Sequence, residues 1–316
     1  MKTVKFIALG LVLIVAVLFF SKEAITLKIM QRTIDKNLTS NLLTSLPDGL
    51  HVYLCGAGSP MMDVKRSGPC TAIIADKKVF IVDTGSSASK VLQQGRVSLA
   101  NIEAVFLTHF HSDHIDGLGG LIMQRWANGA HTTPLPVIAP QGVEKVVEGF
   151  NQAYFFDDGY RIAHHTPKVM PPSGSNAVAE AFAVPVAGEG QLVYQQDGLT
   201  VTAFKVDHHP VSPAVGYKFE YKGRAVVISG DTVKSANVAQ FAQGADLAVT
   251  LHIVPPRPFF IDHQTAVIVE KAGAQHRLRR IGFDQIDIQS LNQRQVTFGT
   301  EEVERARRVL YQLPGH

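Results

Sequence analysis

Residues 109–114 of this 316-residue chain read His-Phe-His-Ser-Asp-His, and they follow an apolar run at 104–107 with only Thr108 between. Four side chains that commonly bind metal ions fall within these six positions. The apolar run predicts a buried strand, and in an extended conformation His109 and His111 project to the same side. Asp113 and His114 lie beyond the bend and face a second position. The motif therefore predicts a site for two metal ions at the end of a strand.

Short apolar runs on both sides of this motif indicate an α/β domain. The run at 79–82 ends in Asp83-Thr84-Gly85, as a buried strand does when it delivers polar side chains to a site. The Gly-, Pro- and Ser-containing stretch at 165–190 is interpreted as a surface loop or lid. A tight hairpin at Lys222-Gly223 is predicted between two strands. The remaining predicted elements are helices at 118–127 and 143–154 and strands at 134–140, 199–206, 214–221 and 224–229.

The composition indicates a folded chain with a packed core. Hydrophobic residues make up 46% and charged residues 18%, which excludes a disordered chain. A net charge of +3 is far from the dense basic character of proteins that bind nucleic acid through charge alone. Two cysteines, Cys55 and Cys70, exclude a four-cysteine zinc site, and whether they pair or stay as buried thiols is left open. Any metal is therefore bound mainly by histidine and acidic residues.

The N-terminal segment has the character of a leader or an anchor. Residues 6–20 form an uninterrupted apolar run between Lys5 and Lys22, shorter than the roughly 20 residues of a typical membrane-spanning helix. We interpret 1–24 as a membrane anchor or signal segment, and we favour an uncleaved anchor because no small-x-small cleavage site follows the run. Residues 25–46 are then a spacer and 47–316 the folded domain. We expect this domain to be exported, and so extracytoplasmic, or periplasmic in a bacterium.

These motifs together resemble the metallo-β-lactamase superfamily, whose signature is a His-x-His-x-Asp-His motif at the end of a strand. The match extends over about residues 50–290 and is most similar to the tRNase Z and arylsulfatase-like branch. The resemblance implies a four-layer αββα sandwich of the mixed α/β (α+β) class, and the apolar run at 6–20 places an N-terminal hydrophobic anchor helix in front of it. The other matching segments, in family order, lie at 56–60, 66–69, 82–85, 208–217 and 229–232.

The resemblance further implies that two metal ions share ligands from distant parts of the chain. The expected ligands are His109, His111, Asp113, His114, His208, Asp231 and His252. The first two histidines and His208 bind one ion, Asp113 and His114 belong to the other with His252, and Asp231 bridges both. His209 is an alternative to its neighbour His208. Asp83 is expected to orient an imidazole by a hydrogen bond rather than to bind metal.

The segment before His252 departs from the family pattern. Only 21 residues separate Asp231 from His252, where relatives have a longer segment that carries further motif residues. The separation indicates an internal deletion, and His263 is the alternative closing ligand. If a strand and a helix are missing, the second metal site is malformed. The chain is then a metal-binding protein with impaired catalysis, which is one of three hypotheses for its function.

The expected chemistry is metal-dependent hydrolysis. Zinc suits the imidazole-rich ligand set best, with manganese or iron as alternatives. Two such ions ionise a bridging water to a hydroxide that attacks the substrate. Asp113 is expected to orient this hydroxide. His165, or its neighbour His164, is the candidate acid for the leaving group.

Context suggests the substrate class. We expect an exported, membrane-tethered hydrolase that acts on a small ester, either a phosphodiester or a sulfate ester. Its expected partners are this small molecule and the membrane. Nucleic acid is not expected, because export separates the chain from RNA and the basic cluster at Arg277, Arg279 and Arg280 is interpreted as a solvated face. A tRNase Z-like endoribonuclease is the alternative. The oligomeric state is left open, a homodimer being one option.

Overall fold

The computed structural model describes residues 41–61 and 66–252, and in addition the backbone of two strands at 265–272 and 275–280. The chain divides into two units, residues 1–45 and 46–316. The described part of the first unit contains the short helix α1 (Leu42–Ser45). The second unit contains two β-sheets and the helices that pack against them.

Six strands form the first sheet, in the order β1-β2-β3-β4-β5-β6. From β3 to β6 neighbouring strands pair in parallel. The side chains of β2 are all buried, and those of β3 and β4 nearly so, which explains why this part of the sequence has continuous apolar runs rather than alternation. The strands are β1 (Leu50–Gly56), β2 (Cys70–Ala75), β3 (Lys78–Val82), β4 (Ile102–Phe106), β5 (Leu135–Pro140) and β6 (Ala177–Phe182).

Seven strands form the second sheet, in the order β13-β12-β11-β10-β9-β8-β7. Only β10 and β11 pair in parallel among these strands. Lys222 (φ 48°) and Gly223 (φ 74°) form the predicted tight turn between β9 and β10, since both carry the positive φ of the hairpin turn. The strands are β7 (Gly190–Gln196), β8 (Leu199–Lys205), β9 (Val215–Tyr221), β10 (Arg224–Thr232), β11 (Leu247–His252), β12 (Thr265–Ala272) and β13 (Gln275–Arg280).

The two sheets pack face to face around one apolar core. Phe80 and Phe106 from the first sheet meet Val201, Tyr217 and Phe219 from the second. The ring of Phe106 lies 5.3 Å from the rings of both Tyr217 and Phe219, with the rings nearly perpendicular. This edge-to-face packing is favourable for aromatic side chains. The core therefore joins the sheets into a sandwich.

Helices cover the outer faces of both sheets. Helix α5 packs against β5 and β6 of the first sheet. Helix α6 packs against the second sheet, where Phe241 stacks on Phe204 with ring centroids 4.5 Å apart. The mixed α/β sandwich predicted from the sequence is confirmed. The remaining helices are α2 (Ala88–Gln94), α3 (Ser112–Ile115), α4 (Leu118–Gly129), α5 (Val143–Val169), α6 (Ala236–Ala242) and two 3₁₀ turns at Leu99–Asn101 and Pro172–Gly174.

The predicted surface loop at 165–190 is only partly correct, since 183–189 is a connection without helix or strand. Helix α5 enters the stretch and is broken at Thr166, whose φ is 72°, before a last turn that ends at Val169, and β6 occupies Ala177–Phe182. Among the residues of α5, Val143 and Val147 are the buried ones. Beyond them the helix is solvent-exposed or only partly buried, so the part that follows the predicted helix at 143–154 has no apolar stripe by which periodicity would reveal it.

Two further sequence predictions concern the start of the chain and its cysteines. The predicted anchor at 1–24 lies outside the described residues. Within the part of the chain that the structure describes, no helix is long and apolar enough to cross a membrane. Cys55 and Cys70 form a disulfide between β1 and β2, with their Cα atoms 5.0 Å apart. This resolves the alternative left open by the sequence.

Candidate metal centre

The His-x-His-x-Asp-His motif lies where β4 ends and the short helix α3 begins. His109 and His114 are fully buried, Asp113 is buried, and His111 is exposed. The backbone of this segment is tied to the end of β3, because the N–H of Thr84 donates to the carbonyl of His114 at 2.7 Å. The two parallel strands thus deliver their polar ends to the same place.

Asp83 is the centre of a buried hydrogen-bond network. Its carboxylate accepts the backbone N–H of Thr108 on Oδ1 and the Thr108 hydroxyl on Oδ2, each at 2.8 Å. The same Oδ2 accepts from Nδ1 of His114 at 2.8 Å. Asp83 has a left-handed φ of 59°, which turns the chain at the strand end. With Nδ1 of His114 donating to Asp83, its Nε2 is the nitrogen that faces the centre and that would bind a metal ion.

Thr108 extends this network to His109, a role that the sequence analysis missed. Its hydroxyl donates to Asp83 and lies 3.0 Å from Nδ1 of His109. Because the hydroxyl has one proton, Nδ1 of His109 is assigned as the donor to it. Nε2 of His109 is then the nitrogen with the lone pair. The sequence signal was the threonine directly before the first histidine.

Glycines allow the motif to approach the β3 turn closely. A Cβ atom at Gly68 would lie 2.8 Å from the carbonyl oxygen of Asp113. One at Gly85 would clash with the backbone of Gly68 and with the same carbonyl, and one at Gly117 would clash with the carbonyl of Gly85. These clashes involve backbone atoms, which cannot move aside as a flexible side chain does. Only glycine fits at the three positions without backbone shifts.

Three imidazoles converge in front of the motif. Nε2 of His109 lies 3.0 Å from Nδ1 of His111, and Nε2 of His208 lies 3.3 Å from the same atom. One carboxylate oxygen of Asp231 completes the group, and the four ligand atoms lie within 4.8 Å of one another. His208 comes from the loop after β8 and Asp231 from the end of β10. The structure thus brings together four residues from three segments.

Asp231 lies between this group and a second one. Its Oδ2 is 4.0 Å from Nε2 of His208, whereas its Oδ1 is 3.4 Å from Nε2 of His114. Asp113 joins the second group, with its Oδ2 3.8 Å from Nε2 of His114. The two oxygens of one carboxylate therefore face histidines of two different groups.

These residues fit a metal ion. Oδ2 of Asp113 and Nε2 of His114 are buried and have no hydrogen-bond partner among the described residues. Buried polar atoms are nearly always hydrogen-bonded, so such atoms need another partner. Imidazole nitrogens and carboxylate oxygens are the ligands that zinc and related divalent metals use. The His and Asp cluster is suitable for a metal.

The electrostatics of the two buried histidines differ. Burial, together with the nearby histidines His114, His208 and His111, holds the pKa of His109 far below its ordinary value, so its imidazole is neutral. Burial also lowers the pKa of His114, but the nearby carboxylates of Asp83 and Asp231 outweigh it and raise the pKa to about 10. Without metal, His114 is protonated. A metal ion would have to displace that proton.

Other predicted residues lie outside this cluster or outside the described side chains. His209 is exposed, unlike its neighbour His208. His164 and His165 lie exposed on α5 and contact each other, and no contact with the cluster is found among the described residues. The backbone of His252 pairs with Thr232 on β10, one residue beyond Asp231. The side chain of His252, the whole of His263 and the side chains of the arginines at 277, 279 and 280 lie outside the described residues.

The protein is thus a two-sheet sandwich with a His and Asp cluster suitable for a metal at its strand ends. Residues 64–281 match the model of the metallo-beta-lactamase superfamily, and the chain belongs to this superfamily. It is a hydrolase of the metallo-β-lactamase fold, as predicted.

Several relatives share a single name. The chain is 39% identical over 202 residues to "Ribonuclease Z" of Mycobacterium bovis, covering 63% of this chain and 69% of that protein. It is 38% identical over 202 residues to "Ribonuclease Z" of Mycolicibacterium paratuberculosis, with the same coverage. Among solved structures, human tRNase Z, short form, is 20% identical, with a TM-score of 0.49 and coverage of 62% of this chain and 76% of that one.

These relatives correct four predictions. Three of them are wrong because the relatives are named as ribonucleases. They are the hydrolysis of a small ester as the main function, a small molecule as the partner, and the exclusion of nucleic acid. The prediction of a membrane-anchored, extracytoplasmic domain is also wrong. It placed the chain away from RNA, whereas the relatives are named as ribonucleases.

Proposed function

We propose that this chain is a metal-dependent endoribonuclease of the ribonuclease Z type, which hydrolyses a phosphodiester bond in a tRNA precursor. The identity of 39% to a ribonuclease Z over 202 residues supports the substrate class. The observation that carries the reaction class is the position of Asp231, whose two oxygens face His208 and His114.

The proposed cofactor is a pair of zinc ions. His109, His111 and His208 would hold one, Asp113, His114 and His252 the other, and Asp231 would contact both. Such a pair supplies Lewis acidity at a phosphate and ionises water near neutral pH. Asp113, whose Oδ2 has no hydrogen-bond partner among the described residues, is proposed to accept a hydrogen bond from the attacking water and so to orient it.

The role of the surrounding residues follows from their hydrogen bonds. Asp83 holds Nδ1 of His114 as a donor and, through Thr108, does the same for His109. Both imidazoles thereby present Nε2 lone pairs in a fixed orientation. Preorganised ligands of this kind do not have to be reoriented during the reaction. We propose no role for His165, because it is exposed on α5 and has no contact with the cluster among the described residues.

The test combines metal analysis with cleavage of RNA. We expect the purified full chain to bind two zinc ions and to cleave a labelled tRNA precursor at one site. His208→Ala should lower the metal content and abolish cleavage, because alanine cannot supply a nitrogen ligand. His209→Ala is the matched control for metal content, since this neighbouring histidine is exposed and outside the cluster.

Three outcomes would contradict parts of the proposal. Hydrolysis of bis(p-nitrophenyl) phosphate without any cleavage of RNA refutes the ribonuclease. Wild-type metal content in His208→Ala refutes the assigned ligand set. Binding of a single ion without catalysis would instead support the hypothesis that the short Asp231 to His252 separation has impaired the second site.

A further inference from the structure

A cavity of about 580 Å³ opens beside the metal cluster. One wall is the connection between β6 and β7, residues 184–187, and the other is the end of β8 with the loop that follows it, residues 205–212. The volume falls within the roughly 300–1,000 Å³ typical of small-molecule sites. The cavity is therefore large enough for one monomeric unit of a polymer.

The cavity is continuous with the metal cluster. His208 lines it and is also one of the four clustered residues. The same loop is held against β10, because the carbonyl of Asp207 accepts from the Thr232 hydroxyl at 3.0 Å and from the N–H of Val233 at 2.8 Å. Thr232 directly follows Asp231. A group bound in the cavity thus lies next to residues that would contact the reacting phosphate.

The two kinds of side chain in the walls fit the two parts of a nucleotide. Val184, Pro185 and Val186 form an apolar wall, and Val186 is 67% exposed at its edge. Lys205 supplies a positive charge to the same cavity. An apolar wall suits the face of a base, and an ammonium group suits a phosphate.

One acidic residue, Asp207, also lines the cavity. Oδ1 of Asp207 accepts the backbone N–H of His209 at 3.3 Å, so one carboxylate oxygen is engaged with the loop itself. Ser212 adds a hydroxyl that can donate to or accept from a base or a ribose. The lining therefore combines apolar contact, one cation, one carboxylate and short polar groups.

We infer that this cavity binds a single nucleotide of the RNA substrate, the one adjoining the cleaved phosphodiester bond. The base lies against Val184, Pro185 and Val186, and its phosphate faces Lys205. The inference rests on the proposed function, since it names the part of the substrate that this side of the site recognises. It makes Val186 and Lys205 binding residues of the chain.

The direct test is binding of adenosine 5′-monophosphate to the zinc-loaded full chain, measured by calorimetry beside inorganic phosphate. Val186→Asp places a negative charge at the mouth of the cavity without disturbing the core. We expect it to weaken binding of the nucleotide about tenfold, or roughly 1.4 kcal/mol, and to affect inorganic phosphate less. Lys205→Ala should weaken both. The matched controls are Val178→Asp, at a valine 45% exposed on β6 and outside the cavity lining, and Lys168→Ala on α5.

Kinetics provide the second readout. In Val186→Asp the KM for the tRNA precursor should rise by a larger factor than the KM for bis(p-nitrophenyl) phosphate, which has no base. Equal nucleotide affinity in wild type, Val186→Asp and Val178→Asp would overturn the inference.

The two proposals fail in different ways. A chain that cleaves the tRNA precursor with wild-type KM in both cavity variants keeps the ribonuclease and loses the nucleotide site. A chain that cleaves no RNA, but binds the nucleotide more weakly when Val186 is changed, loses the ribonuclease and keeps a nucleotide site. Loss of nucleotide binding in Val178→Asp as well would show a general effect on the fold and overturn the assignment to the cavity.

Discussion

The two sheets contribute unequal halves to the metal centre. On the side of the first sheet, the imidazoles of His109 and His114 are fully buried and tied to Asp83, directly or through Thr108. On the side of the second sheet, His208 lies in a loop that lines an open cavity. That loop is held by backbone contacts of Asp207 with the end of β10.

The two sides of the centre therefore have different roles. The first sheet orients the metal ligands, and the second sheet gives a substrate access to them. Buried hydrogen bonds fix the tautomer and direction of a ligand before metal binds, and the first sheet concentrates them. The second sheet leaves space beside its histidine, where a substrate can enter. Substitutions on the first side should therefore act mainly on metal binding, and those on the second side on substrate binding.

Asp83→Asn, on the first side, should have the largest effect, and it should act on metal binding. The amide keeps the shape of the carboxylate but turns one acceptor into a donor, which then faces the N–H or O–H groups of Thr108 and His114. His114 can avoid the conflict by moving its proton to Nε2, the atom needed for metal. We expect zinc affinity to fall about 10- to 100-fold, measured by competition with a chelator.

The pH dependence of unfolding tests whether the effect of Asp83→Asn comes from the contact between Asp83 and His114. The ordinary pKa of histidine, 6.5, applies to the unfolded chain, and in the metal-free folded chain the pKa of His114 is about 10. Between these values only the folded state holds the proton, so its contribution to stability is complete below pH 6.5 and is lost as pH rises toward 10. Urea unfolding of chelator-treated protein should show this decline in wild type and a weaker one in Asp83→Asn. An identical decline in both would contradict the role of Asp83.

How much of this site was predictable depended on sequence distance. The His-x-His-x-Asp-His motif and the Asp83 turn follow apolar strands directly, so local pattern revealed them. The cavity was not predictable, because its walls at 184–187 and 205–212 meet only after β6 and β8 are placed in different sheets. The close approach of Gly85 to Asp113 likewise depends on distances between segments that no periodicity encodes.

Gly85→Ala tests the close backbone packing beside the metal ligands of the first side. The added methyl group would meet the backbone of Gly68 and Asp113, and overpacking of this kind costs about 1–3 kcal/mol. Gly149→Ala is the matched control, because a Cβ at this position on α5 meets nothing within 4 Å. Replacing a helix glycine should stabilise the protein by about 0.5–1 kcal/mol. Urea unfolding measures both, and destabilisation of the same size and sign in the two variants would contradict the close-packing argument.

The smallest effect is expected at the link between the two halves. Tyr217 on β9 is fully buried and donates its hydroxyl to the carbonyl of Leu107 at 2.6 Å, just before Thr108 and His109. Burial raises the pKa of this hydroxyl well above its ordinary value, so it remains a donor. Tyr217→Phe should cost about 1 kcal/mol of unfolding free energy and change zinc affinity less than Asp83→Asn does. Tyr194→Phe, which removes a hydroxyl bonded to Gln196 in an exposed position, should cost less, because water replaces that partner. If both tyrosine variants lose the same stability, the hydrogen bond to Leu107 does not hold the second sheet against the histidine motif.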